Sequence, residues 1–302
     1  YFYKYSFLIY IVNIILLMGV FIFGEEINGA KAWYRFYNLY IQPSEFVKIS
    51  LILLNSCIIQ KFYKNKEKIE LKKEFKLIVI LLLITIIPSI LTFIEPDTGA
   101  IIGYLVITIS MLFICGIDKK WFIGMFVIIL VIIISITILF NVNNELFIDI
   151  FGTNLFYRID RIINWKNKSG MQLQNSLIAI GSSGLTGHKK VPLYYPEAGT
   201  DFIFTSFSSS YGLIGSTILI LILLSFDLHI INIIKKINKK QNKYALFGIS
   251  SLFIYQQIQS ISMTLGLLPI MGITLPLISY GGSSLLSYMI LIGILSTIKK
   301  RA

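Results

Sequence analysis

Four short polar stretches of this 302-residue chain carry residue types that could do chemistry, and each borders a long apolar run. In "QPSEFVK", residues 42–48, Glu45 and Lys48 are three apart, so a helix would put them on one face. Pro43 suits a first helical position, with Gln42 or Ser44 as cap. The plain reading is a cap with a surface ion pair. Against it, both charges enter the apolar segment, where ionisable groups are costly and usually face an interior cavity. In "IEPDTGA", residues 94–100, Glu95 and Asp97 lie between two apolar runs; an ordinary turn with Asp97 or Thr98 as N-cap is the plain reading. In "GSSGLTGHKK", residues 181–190, glycines and serines could form an amide nest for a phosphate, with Lys189 and Lys190 adding charge. The spacing is not that of a Walker loop, and a simple turn is the plain reading. In "PEAGTDFIF", residues 196–204, Glu197 and Asp201 are four apart and would share a face if the helix begins early. Asp201 is either the N-cap of a helix starting at Phe202 or a catalytic carboxylate at its mouth.

The elements that must hold these residues follow from composition. The chain is 56% hydrophobic and 14% charged. A soluble domain carries about 25% charged residues, so this surface faces lipid: an all-α polytopic membrane protein, one domain over residues 1–302. A spanning helix needs about 20 mostly apolar residues. Eight segments qualify: 7–23, 46–62, 76–94, 99–117, 121–140, 202–225, 244–268 and 277–297, the second with Lys48 in its first turn. Lysines mark alternate connections: seven in 61–76, two in 118–120, five in 235–243, and three basic residues at the end. By the positive-inside rule these connections and both termini are cytoplasmic. The other side then holds 24–45, 95–97, 141–201 and 269–276, with ten of the fifteen acids. Residues 141–201 form a large extracytoplasmic loop, long enough to be an ordered cap, since structureless loops beyond about 12–15 residues are uncommon. The +12 net charge is a topology signal spread over short membrane loops, which argues against nucleic-acid binding. Cys57 and Cys115 lack zinc or redox spacing, and His188 and His229 lack a metalloprotease context. The chain opens on Tyr1 in apolar sequence, without a signal-peptide pattern.

Five stretches occur in order: "NGAKAW…QPSEFVK", "EPDTGA", "QNSLIAIGSSGLTG", "PEAGTDFIF" and "LPLISYGGSSLL". Together they resemble the SEDS family, the RodA, FtsW and SpoVE proteins of cell shape, division and sporulation, from residue 1 to about 297. The resemblance implies a ten-helix fold whose first two helices precede this sequence. It implies a peptidoglycan glycosyltransferase of the bacterial plasma membrane, polymerising lipid II at the outer face. A divalent cation (Mg or Mn) and a class B penicillin-binding protein are the implied cofactor and partner. By motif, Asp201 matches the essential aspartate and candidate metal ligand; Glu45 and Lys48 match the QPSE-x-x-K pair. Asp97 matches the aspartate of Q-P-D-L-G-T, and Arg161 an arginine ahead of the "QNSLIAIG" segment. Glu197 joins them as a substrate-binding candidate. The chain departs from the family pattern at Ala32, at Gly199 in place of a histidine, and at "SSSYG" (208–212) in place of an acid pair.

The chemistry agrees with that resemblance. An acceptor hydroxyl needs a base near the water–lipid boundary, and a diphosphate leaving group needs a cation, from a metal or from Lys48 and Arg161. The rival expectation is non-catalytic: a transporter of lipid-linked precursor, or a scaffold for a penicillin-binding protein. A small-solute transporter would place its polar residues near mid-bilayer instead.

Overall fold

The computed structural model describes residues 3–27, 30–37, 39–63, 70–163, 170–188 and 196–300. Its helices are α1 (Ser6–Phe23), α2 (Pro43–Tyr63), α3 (Leu71–Ile94), α4 (Thr98–Cys115), α5 (Lys119–Val142), α6 (Asn144–Ile163), α7 (Gly170–Ser182), α8 (Ile203–Lys236), α9 (Lys240–Thr264) and α10 (Gly282–Lys300). Among the described residues, α1 to α5, α8 and α10 are the seven helices long and apolar enough to cross a membrane. The chain is a multi-pass membrane protein. The eighth expected span is α9, which is long enough at 25 residues but too polar to qualify by composition.

The reason is where α9 sits. It packs with α2 and α4 to form the bundle interior, burying Leu252 and Phe253 beside Ile52, Ile107 and Met111. A helix walled off from lipid can bury Gln256, Gln257 and Ser260 without meeting hydrocarbon. The same holds for α2, where buried Asn55 donates to Thr108 Oγ1 of α4 at 3.1 Å. By contrast α5 buries only Phe140 and shows its apolar side chains outward. Lipid, not protein, is the medium that such a surface fits.

The expectation of an all-helical chain missed one element. Three strands form a small antiparallel sheet, β1 (Glu25–Ile27), β2 (Ala30–Phe36) and β3 (Leu39–Ile41), in the order β1-β2-β3. Its aromatic and β-branched content suits strands. Tyr34 donates to Leu16 O at 2.7 Å and Lys31 to Phe21 O at 2.8 Å, tying the sheet to α1. Ser283 of α10 accepts from Gln42 N at 2.9 Å and donates to Tyr40 O at 2.8 Å, tying it to the far side of the bundle.

Among the described residues of the long connection 141–201, two stretches beyond α5 are helical. α6, broken at Gly152, packs on α5 through Phe140, Phe147 and Phe156. α7 docks on α8 and α9, with Ser176 donating to Thr264 O at 2.9 Å. At the opposite end, Glu74 Oε2 accepts from Trp121 Nε1 at 2.9 Å, and Tyr3 donates to Asn242 at 3.0 Å. Lys239, Lys240 and Lys243 flank Asn242 at the start of α9.

Candidate active site

Three of the four polar stretches converge on one cavity of about 610 Å³, lined by Glu45, Lys48, Glu95, Asp97, Glu197 and Asp201. Its floor is the junction of α2 and α4. Pro43 opens α2, as the fixed φ of proline favours. One turn on, Lys48 Nζ meets Glu45 Oε1 at 2.6 Å, with the lysine side chain only 2% exposed. A surface ion pair is excluded by that burial. Glu45 Oε2 also accepts from Ser287 of α10 at 3.1 Å, and the Lys48 ammonium sits 5.7 Å from the Tyr288 ring centroid.

Asp97 joins the two motifs. Its Oδ1 accepts from Ala100 N at 3.0 Å, so it is the N-cap of α4. Its Oδ2 accepts from Gln42 Nε2 at 3.0 Å and Ser44 Oγ at 3.2 Å. The cap reading of Asp97 therefore holds, and the same carboxylate cross-braces α2. Gln42 sits just ahead of α2, where its carbonyl accepts from Glu45 N at 3.3 Å, and its side-chain amide serves this brace. Burial pushes the Asp97 carboxyl up, while the Ala100 amide pulls it back down.

Asp201 behaves differently. The helix starts at Ile203 with Phe202 in the cap position, and no side chain caps it. The cap reading of Asp201 is overturned. Glu197 and Asp201 do not share a helix face either, because 196–202 is turn, with Glu197 at φ 55°. The turn is held from the "LPLISYGGSS" segment. Tyr280 N donates to Gly199 O at 2.8 Å, and Ser279 Oγ donates to Thr200 O at 2.7 Å. Two stretches 80 residues apart thus build one wall. Burial first, then Glu197 and Asp97, raise the Asp201 carboxyl to about 7.

The "GSSGLTG" stretch does not join the cavity. Leu213 N and Ile214 N donate to Gly184 O and Leu185 O, and His188 N to Ser209 O at 2.8 Å. Those bonds tie the stretch to the Gly212 break in α8, and within the stretch Ser183 N donates to Ile180 O at 3.3 Å and Gly187 N to Ser183 O at 2.9 Å, so the Ser183, Gly187 and His188 amides are spent on backbone rather than on an anion nest. Lys189 and Lys190 lie outside the described residues, and so does the side chain of Arg161, whose backbone falls in α6. Glu95, which shares the "IEPDTGA" stretch with Asp97 but has no role by motif, also lines the cavity, as does Gln256 of α9.

The model of the FtsW/RodA/SpoVE cell cycle proteins matches residues 1–302. The chain belongs to that family. It is 33% identical over 306 residues to a probable peptidoglycan glycosyltransferase FtsW of Buchnera aphidicola subsp. Schizaphis graminum, covering 97% of this chain and 81% of the relative. It is 36% identical to the corresponding protein of Wigglesworthia glossinidia brevipalpis, covering 94% of this chain and 73% of the relative. Among solved structures, a peptidoglycan synthase complex that coordinates polymerization and crosslinking contains a similar chain, with TM-score 0.80 and 21% identity over 99% of this chain and 82% of that one. The rod-shape-determining protein RodA of Thermus thermophilus has TM-score 0.67 at 21% identity, over 99% of this chain and 78% of its own. These two likenesses concern the fold.

Proposed function

We propose that this chain is a peptidoglycan glycosyltransferase that polymerises lipid II, with Asp201 as the base. The observation that carries the assignment is Asp201 itself: a mostly buried carboxylate in the cavity wall that caps no helix. Its carboxyl, raised to about 7, suits proton transfer near neutral pH, where a general base works best. In the reaction, ionised Asp201 accepts the proton of the attacking sugar hydroxyl. That oxygen forms the new bond to the anomeric carbon, whose bond to the diphosphate oxygen breaks, and undecaprenyl diphosphate leaves.

Lys48 has a different part from that expected of a bare cation. Glu45 already compensates its charge at 2.6 Å, so the pair holds α2 and α10 in register under the cavity. Among the described residues, no three His, Cys, Asp or Glu side chains converge as a metal cage. Magnesium is commonly held by one or two carboxylates with substrate phosphates completing its shell, and Asp201 with nearby Glu197 fits that mode. A magnesium or manganese ion held there supplies neutralisation of the diphosphate charge. The crosslinking partner is a class B penicillin-binding protein, as the family resemblance implies.

The test is glycan-strand formation from lipid II by the purified protein together with its partner. Asp201→Asn should lose about 10²–10⁴ in rate, with folding checked by melting. Glu197→Gln should lose less, since Glu197 lies exposed at the rim. A folded Asp201→Asn protein working within a few-fold of the parent returns the chain to the scaffold or transporter reading.

A further inference from the structure

Glu95 follows the last turn of α3, where its backbone N–H donates to Leu91 O at 3.3 Å. It lines the cavity yet is 1% exposed. Among the described residues, neither carboxylate oxygen has a hydrogen-bond partner, and no cation lies in ion-pair range. A lone buried carboxylate is costly enough that the group takes up a proton instead. We propose that Glu95 is a neutral carboxylic acid that donates a hydrogen bond to an uncharged sugar oxygen of the substrate, a hydroxyl or an N-acetyl carbonyl.

The surroundings favour the neutral form. Asp97, two residues on, is acidic, and the ionisable groups that feel Glu95 from the packed elements are Tyr104 of α4 and Tyr34 of β2, both neutral at physiological pH. Lys48, the cation lining the cavity, is held by Glu45 at 2.6 Å. Burial, then Asp97, raise the Glu95 carboxyl to about 8. A buried O–H with no acceptor is itself unfavourable, so an oxygen arriving with the substrate relieves it. Asp97 beside Glu95 disfavours an anion at this wall, which leaves the sugar oxygens rather than the diphosphate. A carboxylic acid kept neutral by its site so that it can donate is a known device in enzymes.

The proposal rests on the glycosyltransferase reading, and two arms separate them. In the activity arm, Glu95→Gln keeps a donor and should work within a few-fold of the parent, whereas Glu95→Leu should fall about tenfold or more. The parent's rate should fall on the alkaline side, centred near 8, and Glu95→Gln should lack that fall. In the binding arm, infrared difference spectra of the parent at pH 7 should show a protonated-carboxyl stretch that Glu95→Gln lacks and that shifts on adding lipid II. If that band shifts but the parent makes no glycan, the enzyme assignment falls and Glu95 stands. An absent or unshifted band, or an unchanged alkaline limb in Glu95→Gln, overturns the proposal.

Discussion

Asp201 and the Lys48–Glu45 pair show two ways of placing charge at a membrane boundary. Asp201 binds its proton more tightly folded than unfolded, about 7 against the ordinary 3.8. Between roughly those values the native state holds the extra proton, so stability falls as pH rises through that window. The price for a poised base is therefore a less stable fold at pH 8. Asp201→Asn should melt above the parent at pH 8 and level with it near pH 4; a lower melting temperature at pH 8 would contradict the assignment. The acid limb of the rate profile should centre near 7 without added divalent cation, where Asp201 loses its proton, and should move to lower pH when the cation is added. The ion pair is the opposite case, because each charge compensates the other. Removing one partner of a buried pair costs about 3–5 kcal/mol, while replacing both with apolar or neutral groups is often tolerated. Lys48→Met alone should then destabilise more than the Glu45→Gln, Lys48→Met double variant, and the order of the melting temperatures checks it.

At the scale of elements, the long helices follow the apolar runs closely: α3, α4 and α5 contain nearly all of 76–94, 99–117 and 121–140. Lipid contact forces apolar composition, and composition is readable. What escaped was set by contacts distant in sequence. The sheet at 25–41 depends on Leu16, Phe21 and Ser283. The start of α8 was legible to within a residue, but the cap reading of Asp201 failed because the 269–281 segment, not a capping side chain, fixes the preceding turn. The glycine-rich stretch was legible as a special backbone, but its purpose was not. Gly212 breaks α8 at φ 64° and ψ −162°, a region essentially reserved for glycine. A Cβ there would strike the backbone of Leu185 and Gly187, and one at Gly187 would strike Ser210. Gly212→Ala should cost at least about 1–3 kcal/mol from strain alone. Heat denaturation of that variant should show it, whereas Gly293→Ala, with nothing near its Cβ, should be silent or stabilising.

For the whole molecule, the site works only if the cavity end faces outward, where a lipid-linked sugar is polymerised. The residues at that end, Glu45, Asp97, Glu197 and Asp201, were legible as candidates because acids beside apolar runs are rare; that they form one cavity was not, since they come from α2, the α3–α4 turn and the segment before α8. Orientation, in turn, rests on lysines, which attract the cytoplasmic side by the positive-inside rule. The two ends make opposite forecasts for a membrane-impermeant thiol reagent applied to intact cells. In a background with Cys57 and Cys115 replaced by Ser, a cysteine at Asn238, between the lysines of 235–243, should stay protected until the cells are opened. A cysteine at Thr186, exposed on the loop after α7, should react at once. Both positions lie off the buried core, so low reactivity at Asn238 in intact cells followed by labelling in opened cells reports sidedness rather than packing. Reversed labelling would put Asp201 on the cytoplasmic face, and a polymerase of outward-facing precursor could not then use it.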